Sequence, residues 1–371
     1  MKLSGLETPG LVLDAGRMEA NVARLKSHLA TLGVRLRPHV KTCKSIEVAR
    51  TFMESPAGPI TVSTLKEAEQ FLDHGVSDIL YAVGIAPGKL DHVLALRARG
   101  AKLCVVVDSV EAAQAVAERK AGIPALIEID CDGHRAGVKP GATLLVEIAK
   151  VLAKGAQPLG VMTHAGDSYN CRSTEAIAAM AEKERGAVVG SAAVLRSAGF
   201  ASPVVSVGST PTATFARSLE GVTEVRAGVF VFHDLVMAGL GVCSVDDIAL
   251  SVLATVIGHQ REKGWVITDG GWMALSRDRG TQKQEVDQGY GLVCDEAGHV
   301  IGDLIVSDAN QEHGIVSRRD AAPLDVSRYP VGTRLRILPN HACATGAQHD
   351  AYHVVRGGPE IVARWPRFGG W

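Results

Sequence analysis

Eight short apolar runs, separated by stretches of helical composition, constrain this chain more than any other feature. The runs are Val34 to Val40, Ile60 to Ser63, Ile79 to Val83, Leu103 to Asp108, Ala125 to Asp130, Leu159 to His164, Val204 to Gly208 and Val225 to Phe230. Runs of this length, rich in β-branched residues and bounded by turn formers, read as strands. Thr64 to His74, Ser109 to Lys120, Thr143 to Lys154 and Ser173 to Ala198 read as helices, with Ser109 and Ser173 as N-caps. Eight strands alternating with helices over about 200 residues is the pattern of a (β/α)8 TIM barrel. The rival, an open doubly wound sheet, would carry a GxGxxG after its first strand, and none is there.

Ahead of this pattern, Leu11-Val12-Leu13-Asp14 precedes a segment with Met18, Val22, Leu25 and Leu29 on one helical face. From about Cys243 the texture changes to strand-like runs joined by Gly, Asp and Pro turns. These are Val252 to Ile257, Trp265 to Asp269, Gly289 to Cys294, Val300 to Ser307 and Arg334 to Leu338. The expectation is a barrel domain over 1–243 and a mostly antiparallel β domain over 244–371. The first 15 or so residues are candidates for packing with the second domain.

With 371 residues the chain suits such a pair of domains, and a formal net charge of -1 gives a nucleic acid or anionic membrane nothing to bind. No apolar run reaches the roughly 18 residues that span a bilayer, and the first residues lack the apolar core of a secretory signal. Seven scattered cysteines without CxxC spacing read as reduced thiols, so the expected setting is the cytoplasm.

In a parallel barrel the carboxyl ends of the strands converge on one mouth, where the chemistry resides. Here those ends deliver His39 and Lys41, then Glu128, Asp130 and Arg135, then His164 and Tyr169, then Gly208-Ser209-Thr210, then Arg226 and Gly228. A lysine set between Arg37 and a histidine and partly desolvated has its neutral amine favoured, as a Schiff-base lysine needs. Backbone amides and hydroxyls at Gly208, Ser209, Thr210 and Gly228 suit a phosphate. A phosphate site opposite such a lysine points to pyridoxal 5'-phosphate.

Near the carboxyl terminus stands Leu338-Pro339-Asn340-His341-Ala342-Cys343. In an extended segment residues two apart share a face, so the His341 imidazole and Cys343 thiol converge on one ion. That donor pair suits zinc, with manganese or cobalt as substitutes, and leaves positions open for water or substrate. His349, Asp350 and His353 read either as outer partners of that ion or as solvated loop residues.

Taken together, Arg37-Pro38-His39-Val40-Lys41-Thr42, Thr163-His164-Ala165-Gly166-x-Ser168-Tyr169, Glu312-His313-Gly314 and Leu338-Pro339-Asn340-His341-Ala342-Cys343 resemble the D-serine dehydratase and D-threonine aldolase family. These are fold-type III, alanine-racemase-like pyridoxal-phosphate enzymes, and the resemblance spans essentially the whole chain. It implies Lys41 as the cofactor lysine and a metal at His341 and Cys343. It also implies a homodimer with shared active sites. The resemblance places Arg135 near the ring's phenolic oxygen, Arg226 by the pyridine nitrogen, and Tyr169 and His39 among the cofactor contacts.

A His-x-Cys element is similar to the dehydratase branch, whereas aldolases carry His-x-Asp. The expected activity is dehydration of a β-hydroxy D-amino acid such as D-serine, D-threonine or D-threo-3-hydroxyaspartate to a 2-keto acid and ammonia. Lys41 and His164 are the candidate catalytic groups. The alternative is metal-activated aldol cleavage to glycine and an aldehyde; a racemase and a non-catalytic cofactor carrier stand further off.

Overall fold

A computed structural model describes all of residues 1–371. The chain divides into two compact units, one formed by Met1–Ala23 with Val229–Gly369 and the other by Arg24–Gly228 with Gly370–Trp371.

After a first strand, β1 (Gly10–Asp14), the chain lays down β2 (Arg35–Leu36), β3 (Ile60–Val62), β4 (Asp78–Gly84), β5 (Lys102–Val107), β6 (Pro124–Ile129), β7 (Gln157–Thr163), β8 (Val204–Val207) and β9 (Glu224–Val225). β2 to β9 pair in parallel in the order β2-β9-β8-β7-β6-β5-β4-β3. A parallel bridge between His39 and Thr61 joins the two ends, with Val40 N–H donating to Thr61 O at 2.9 Å and Thr61 N–H to Pro38 O at 2.8 Å. The expected (β/α)8 barrel is therefore present, although its first and last strands are shorter than their apolar runs. Pro38 has no N–H to give the ladder, yet Arg37 and His39 still donate to Val225 and Ala227. Val229–Val231 closes into a 3-10 turn instead of extending β9.

Alternation decides what fills the barrel. Leu80, Val106, Leu126 and Met162 form one buried cluster with Cys104, Leu159 and Val204 packed against it. Each fully buried aliphatic side chain of this kind contributes about 1.5–3 kcal/mol. The helices around the barrel start where their caps stand: Thr64, Ser109 and Ser173 each accept a backbone N–H three residues on, from Glu67, Ala112 and Ala176. Such a cap contributes about 1 kcal/mol.

The other unit is built on β10 (Leu250–Gln260), β11 (Trp265–Thr268), β12 (Leu292–Cys294), β13 (Val300–Ala309), β14 (Gly314–Arg318), β15 (Arg334–Leu338), β16 (Ala351–Val355) and β17 (Ala363–Pro366). Its strand order is β11-β14-β13-β12-β15-β10-β1-β16-β17, and β11 also pairs with β10, which closes six antiparallel strands on themselves. β1 is central in this sheet, antiparallel to β10 and parallel to β16. β14, β16 and β17 had no strand reading in the sequence. β14 opens on Gly314, and β17 is an edge strand whose alternate residues are exposed.

Candidate active site

In the barrel unit the amino ends of β4, β5 and β9 carry Asp78, Lys102 and Glu224, which line a cavity together with Arg37. Arg37 donates from Nε to Glu224 Oε2 at 2.8 Å and from Nη1 to Asp78 Oδ1 at 2.7 Å. Arg37, the cation expected beside Lys41, is thus itself paired with two carboxylates. The positive neighbours come from elsewhere. Burial first, and then the charges of Lys41, Arg226 and His164, push the His39 imidazole well below its ordinary range. Burial likewise takes His164 down to about 4, with Lys41, Arg135 and Arg226 adding to the effect.

His39, Lys41, Arg135, His164 and Arg226 are thus electrostatic neighbours at the carboxyl ends of β2, β6, β7 and β9. Lys41 itself is exposed, and its backbone N–H reaches His39 Nδ1 at 3.5 Å. Arg135 is exposed and pairs with the buried Glu128 at 3.4 Å. His164 Nδ1 lies 2.7 Å from Gly208 O. A carbonyl only accepts, so Nδ1 carries the proton and Nε2 keeps its lone pair. The Tyr169 ring sits with its centroid 6.4 Å from that of His164.

Arg226 is buried, donating to Ser206 Oγ and Thr163 O, both at 2.5 Å, while Ser206 Oγ donates to Glu224 at 2.9 Å. The small residues are required where they stand. Gly208 has φ +148°, and a Cβ there would collide with the Arg226 carbonyl; a Cβ on Gly228 would come within 2.9 Å of His39 O. Ser209 caps the short helix Thr210–Phe215, accepting from Thr212 N, and its hydroxyl also meets Ser168 Oγ at 3.0 Å. A cluster of cations beside a glycine-lined turn fits an anionic cofactor such as pyridoxal phosphate.

In the β unit, the strand geometry assumed for His341 and Cys343 is not what forms. β15 ends at Leu338, His341 is extended at φ -136°, and Cys343 already lies in the helix Ala342–Gly346. The imidazole and thiol are nonetheless electrostatic neighbours. Asp278 Oδ2 is 2.6 Å from His341 Nδ1, and that bond holds the Asp278 carboxyl below its usual range. Burial opposes the imidazolium of His341, but the bond to Asp278 and the neighbouring Cys343 raise its pKa to about 11.

A carboxylate on Nδ1 leaves Nε2 for an ion, which is how metal-binding histidines are commonly oriented. Histidine nitrogen with cysteine sulfur fits zinc. No group of three or more His, Cys, Asp or Glu is arranged to hold a metal, so further positions would fall to water or substrate.

The segment is well anchored. Asn340 accepts from Thr281 Oγ1 and donates to Gly289 O, Ala342 N–H donates to the buried Asp234, and Thr345 Oγ1 donates to Leu275 O. His349 belongs to this anchoring, donating from Nε2 to Ala274 O at 3.0 Å. Asp278 went unnoticed in the sequence, because a lone Asp 63 residues upstream carries no local sign of its partner.

The pattern describing the alanine racemase N-terminal domain matches residues 13–235, and that of a serine dehydratase domain matches 249–355. The chain belongs to the D-serine dehydratase and D-threonine aldolase family. Its fold is the alanine-racemase-like fold type III. The D-threo-3-hydroxyaspartate dehydratase of Delftia sp. (strain HT23) is 56% identical, over 99% of this chain and 98% of that protein. Its solved structure matches with a TM-score of 0.97 at 54% identity over 100% of both chains. A solved cysteine-to-alanine mutant of that enzyme is in the metal-free form. D-serine dehydratase of Dictyostelium discoideum is 30% identical over 97% of this chain and 96% of that protein. The 3-hydroxy-D-aspartate aldolase of Paracoccus denitrificans (strain Pd 1222) is also 30% identical, over 99% and 92%.

Proposed function

We propose that this protein is a pyridoxal-phosphate- and zinc-dependent dehydratase of β-hydroxy D-amino acids, D-threo-3-hydroxyaspartate foremost, forming a 2-keto acid and ammonia. The observation that carries this reading is the His341–Cys343 pair, backed by Asp278, in a chain matched end to end by a dehydratase.

When bound, pyridoxal phosphate supplies an electron sink for charge developing on the substrate α-carbon, and zinc a Lewis acid for the departing β-hydroxyl. The chain's own residues supply the rest. Lys41 Nζ would hold the cofactor, and its free amine would receive the substrate's α-proton as general base. Gly208, Ser209, Thr210 and Gly228 hold the phosphate. His39, Tyr169 and Arg135 would flank the ring, and Arg226, locked by Ser206 and Thr163, would serve the pyridine nitrogen. An arginine at that nitrogen keeps it unprotonated, since the guanidinium does not give up its proton. His164, neutral through the physiological range, presents Nε2 to the substrate. His341 and Cys343 hold the metal, and Asp278 fixes the tautomer of His341.

The proposed assembly is a homodimer that completes each active site. All seven cysteines are thiols, which fits the proposed cytoplasmic setting. No helix is long and apolar enough to cross a membrane.

A panel of β-hydroxy D-amino acids, with and without chelator, tests the reading. Keto acid and ammonia formed in a metal-dependent way are expected. Glycine and an aldehyde would assign aldol cleavage instead, and turnover indifferent to chelator would remove the metal from the proposal.

A further inference from the structure

Glu184 sits in the middle of the long helix Thr174–Ser197, with 2% of its surface exposed. Its Oε1 accepts the backbone N–H of Ala165 and of Gly208, each at 3.0 Å. The Thr212 hydroxyl is a further polar neighbour that favours its charged form. Ala165 directly follows His164 at the end of β7, and Gly208 directly follows β8. The Gly208 carbonyl then takes the Nδ1 proton of His164. One carboxylate oxygen therefore ties two neighbouring loops together and, through Gly208, sets the tautomer of a histidine at the barrel mouth.

Placing a carboxylate here is costly, because burial penalises its charge and raises its pKa. An apolar residue would leave two buried amides without partners, which is costlier still. Backbone satisfaction alone does not explain why both amides meet at one atom. A shared acceptor fixes the distance between the two loops, whereas separate acceptors would let each loop settle independently.

We infer that Glu184 is a positioning residue for the cofactor site: it sets the loop after β7 against the loop after β8, so that Gly208, Ser209 and Thr210 present a preformed phosphate seat beside His164. The inference rests on the reading of Gly208–Thr210 as the phosphate loop. Glu184 touches neither cofactor nor substrate and acts through the backbone.

The test compares pyridoxal phosphate with pyridoxal, which lacks the phosphate. The full-length protein is freed of cofactor, and both compounds are titrated by absorbance into wild type, Glu184→Leu and Glu184→Gln, with circular dichroism and Tm reported for each. Wild type is expected to bind pyridoxal phosphate far more tightly than pyridoxal. Glu184→Leu is expected to weaken pyridoxal phosphate by about ten-fold or more, the scale of losing a charge-assisted hydrogen bond, and pyridoxal by less than about three-fold. Glu184→Gln keeps an acceptor oxygen and should recover part of the loss.

Equal weakening of both compounds would make Glu184 a purely structural residue and overturn the inference. So would unchanged affinities in Glu184→Leu. If that variant does not fold, Glu184→Gln decides: a loss confined to pyridoxal phosphate supports the inference, and a shared loss or none overturns it. Should wild type itself fail to distinguish the two compounds, the phosphate-loop reading falls first and takes the inference with it.

Discussion

Asp278 Oδ2 and His341 Nδ1 lie 2.6 Å apart, although 63 residues separate them in the chain. The carboxylate fixes the imidazole with Nε2 turned away from Asp278. Asp278→Ala should lower zinc affinity about 10–100-fold, as loss of such an outer partner commonly does. Competition with a chromophoric chelator reads this directly, and an unchanged affinity would exclude Asp278 from the metal site.

Lys41→Ala should abolish both the visible absorbance of bound cofactor and turnover. Retention of either would remove Lys41 from the role proposed for it. The absorbance spectrum of the purified variant and a keto acid assay are sufficient.

Chelation should separate the two cofactors. Removal of metal is expected to abolish keto acid formation while leaving the visible cofactor band in place, since the residues proposed for pyridoxal phosphate are distinct from His341 and Cys343. Loss of the band on chelation would contradict that division.

Inside the barrel, Glu224 is 1% exposed and takes Arg37 at 2.8 Å and Ser206 at 2.9 Å. Burial alone would raise its pKa, but Arg37 and Ser206 bring it below the ordinary 4.5. A carboxyl with a depressed folded value contributes stability that is full above 4.5 and lost as pH falls through that lower value. Urea unfolding against pH should therefore show an acid limb below about pH 4.5, flattened in Glu224→Gln. Glu224→Leu, which leaves the buried Arg37 with Asp78 as its one carboxylate partner, should destabilise the fold by less than the roughly 3–5 kcal/mol of a fully unpaired buried charge.

Burial pushes the His164 imidazole from an ordinary 6.5 down to about 4. Its neutral form is the one the fold favours, so it contributes no acid limb to activity between pH 6 and 8. A histidine NMR titration should find its ring neutral down to about pH 5. A midpoint near 6.5 would contradict the desolvated setting.

The barrel was legible because its information is local. Strand runs, helix periodicity and serine or threonine caps all lie within a few residues of what they specify, and Thr64, Ser109 and Ser173 cap as their positions imply. The ends of the strands also named His39, Lys41, His164 and Arg226, which the fold does gather around one mouth. What escaped is long-range. Asp278 and Glu184 look like ordinary surface acids until the fold delivers His341 to one and the Ala165 and Gly208 amides to the other. The His341–Cys343 pair was found for a reason that does not hold, since a helix begins between the two residues and the alternation of a strand does not apply.

β1, made from residues 10–14, runs between β10 and β16, strands whose sequences lie some 240 to 340 residues later. β1 is made before either partner, so its place in the sheet is filled on both sides only after β16, about 340 residues later, has been made. A fragment starting after β9 would retain β10 and β16 with a gap between them and two unsatisfied rows of backbone amides and carbonyls facing it. Such edges invite pairing with other chains, and in the folded protein β1 covers both of them.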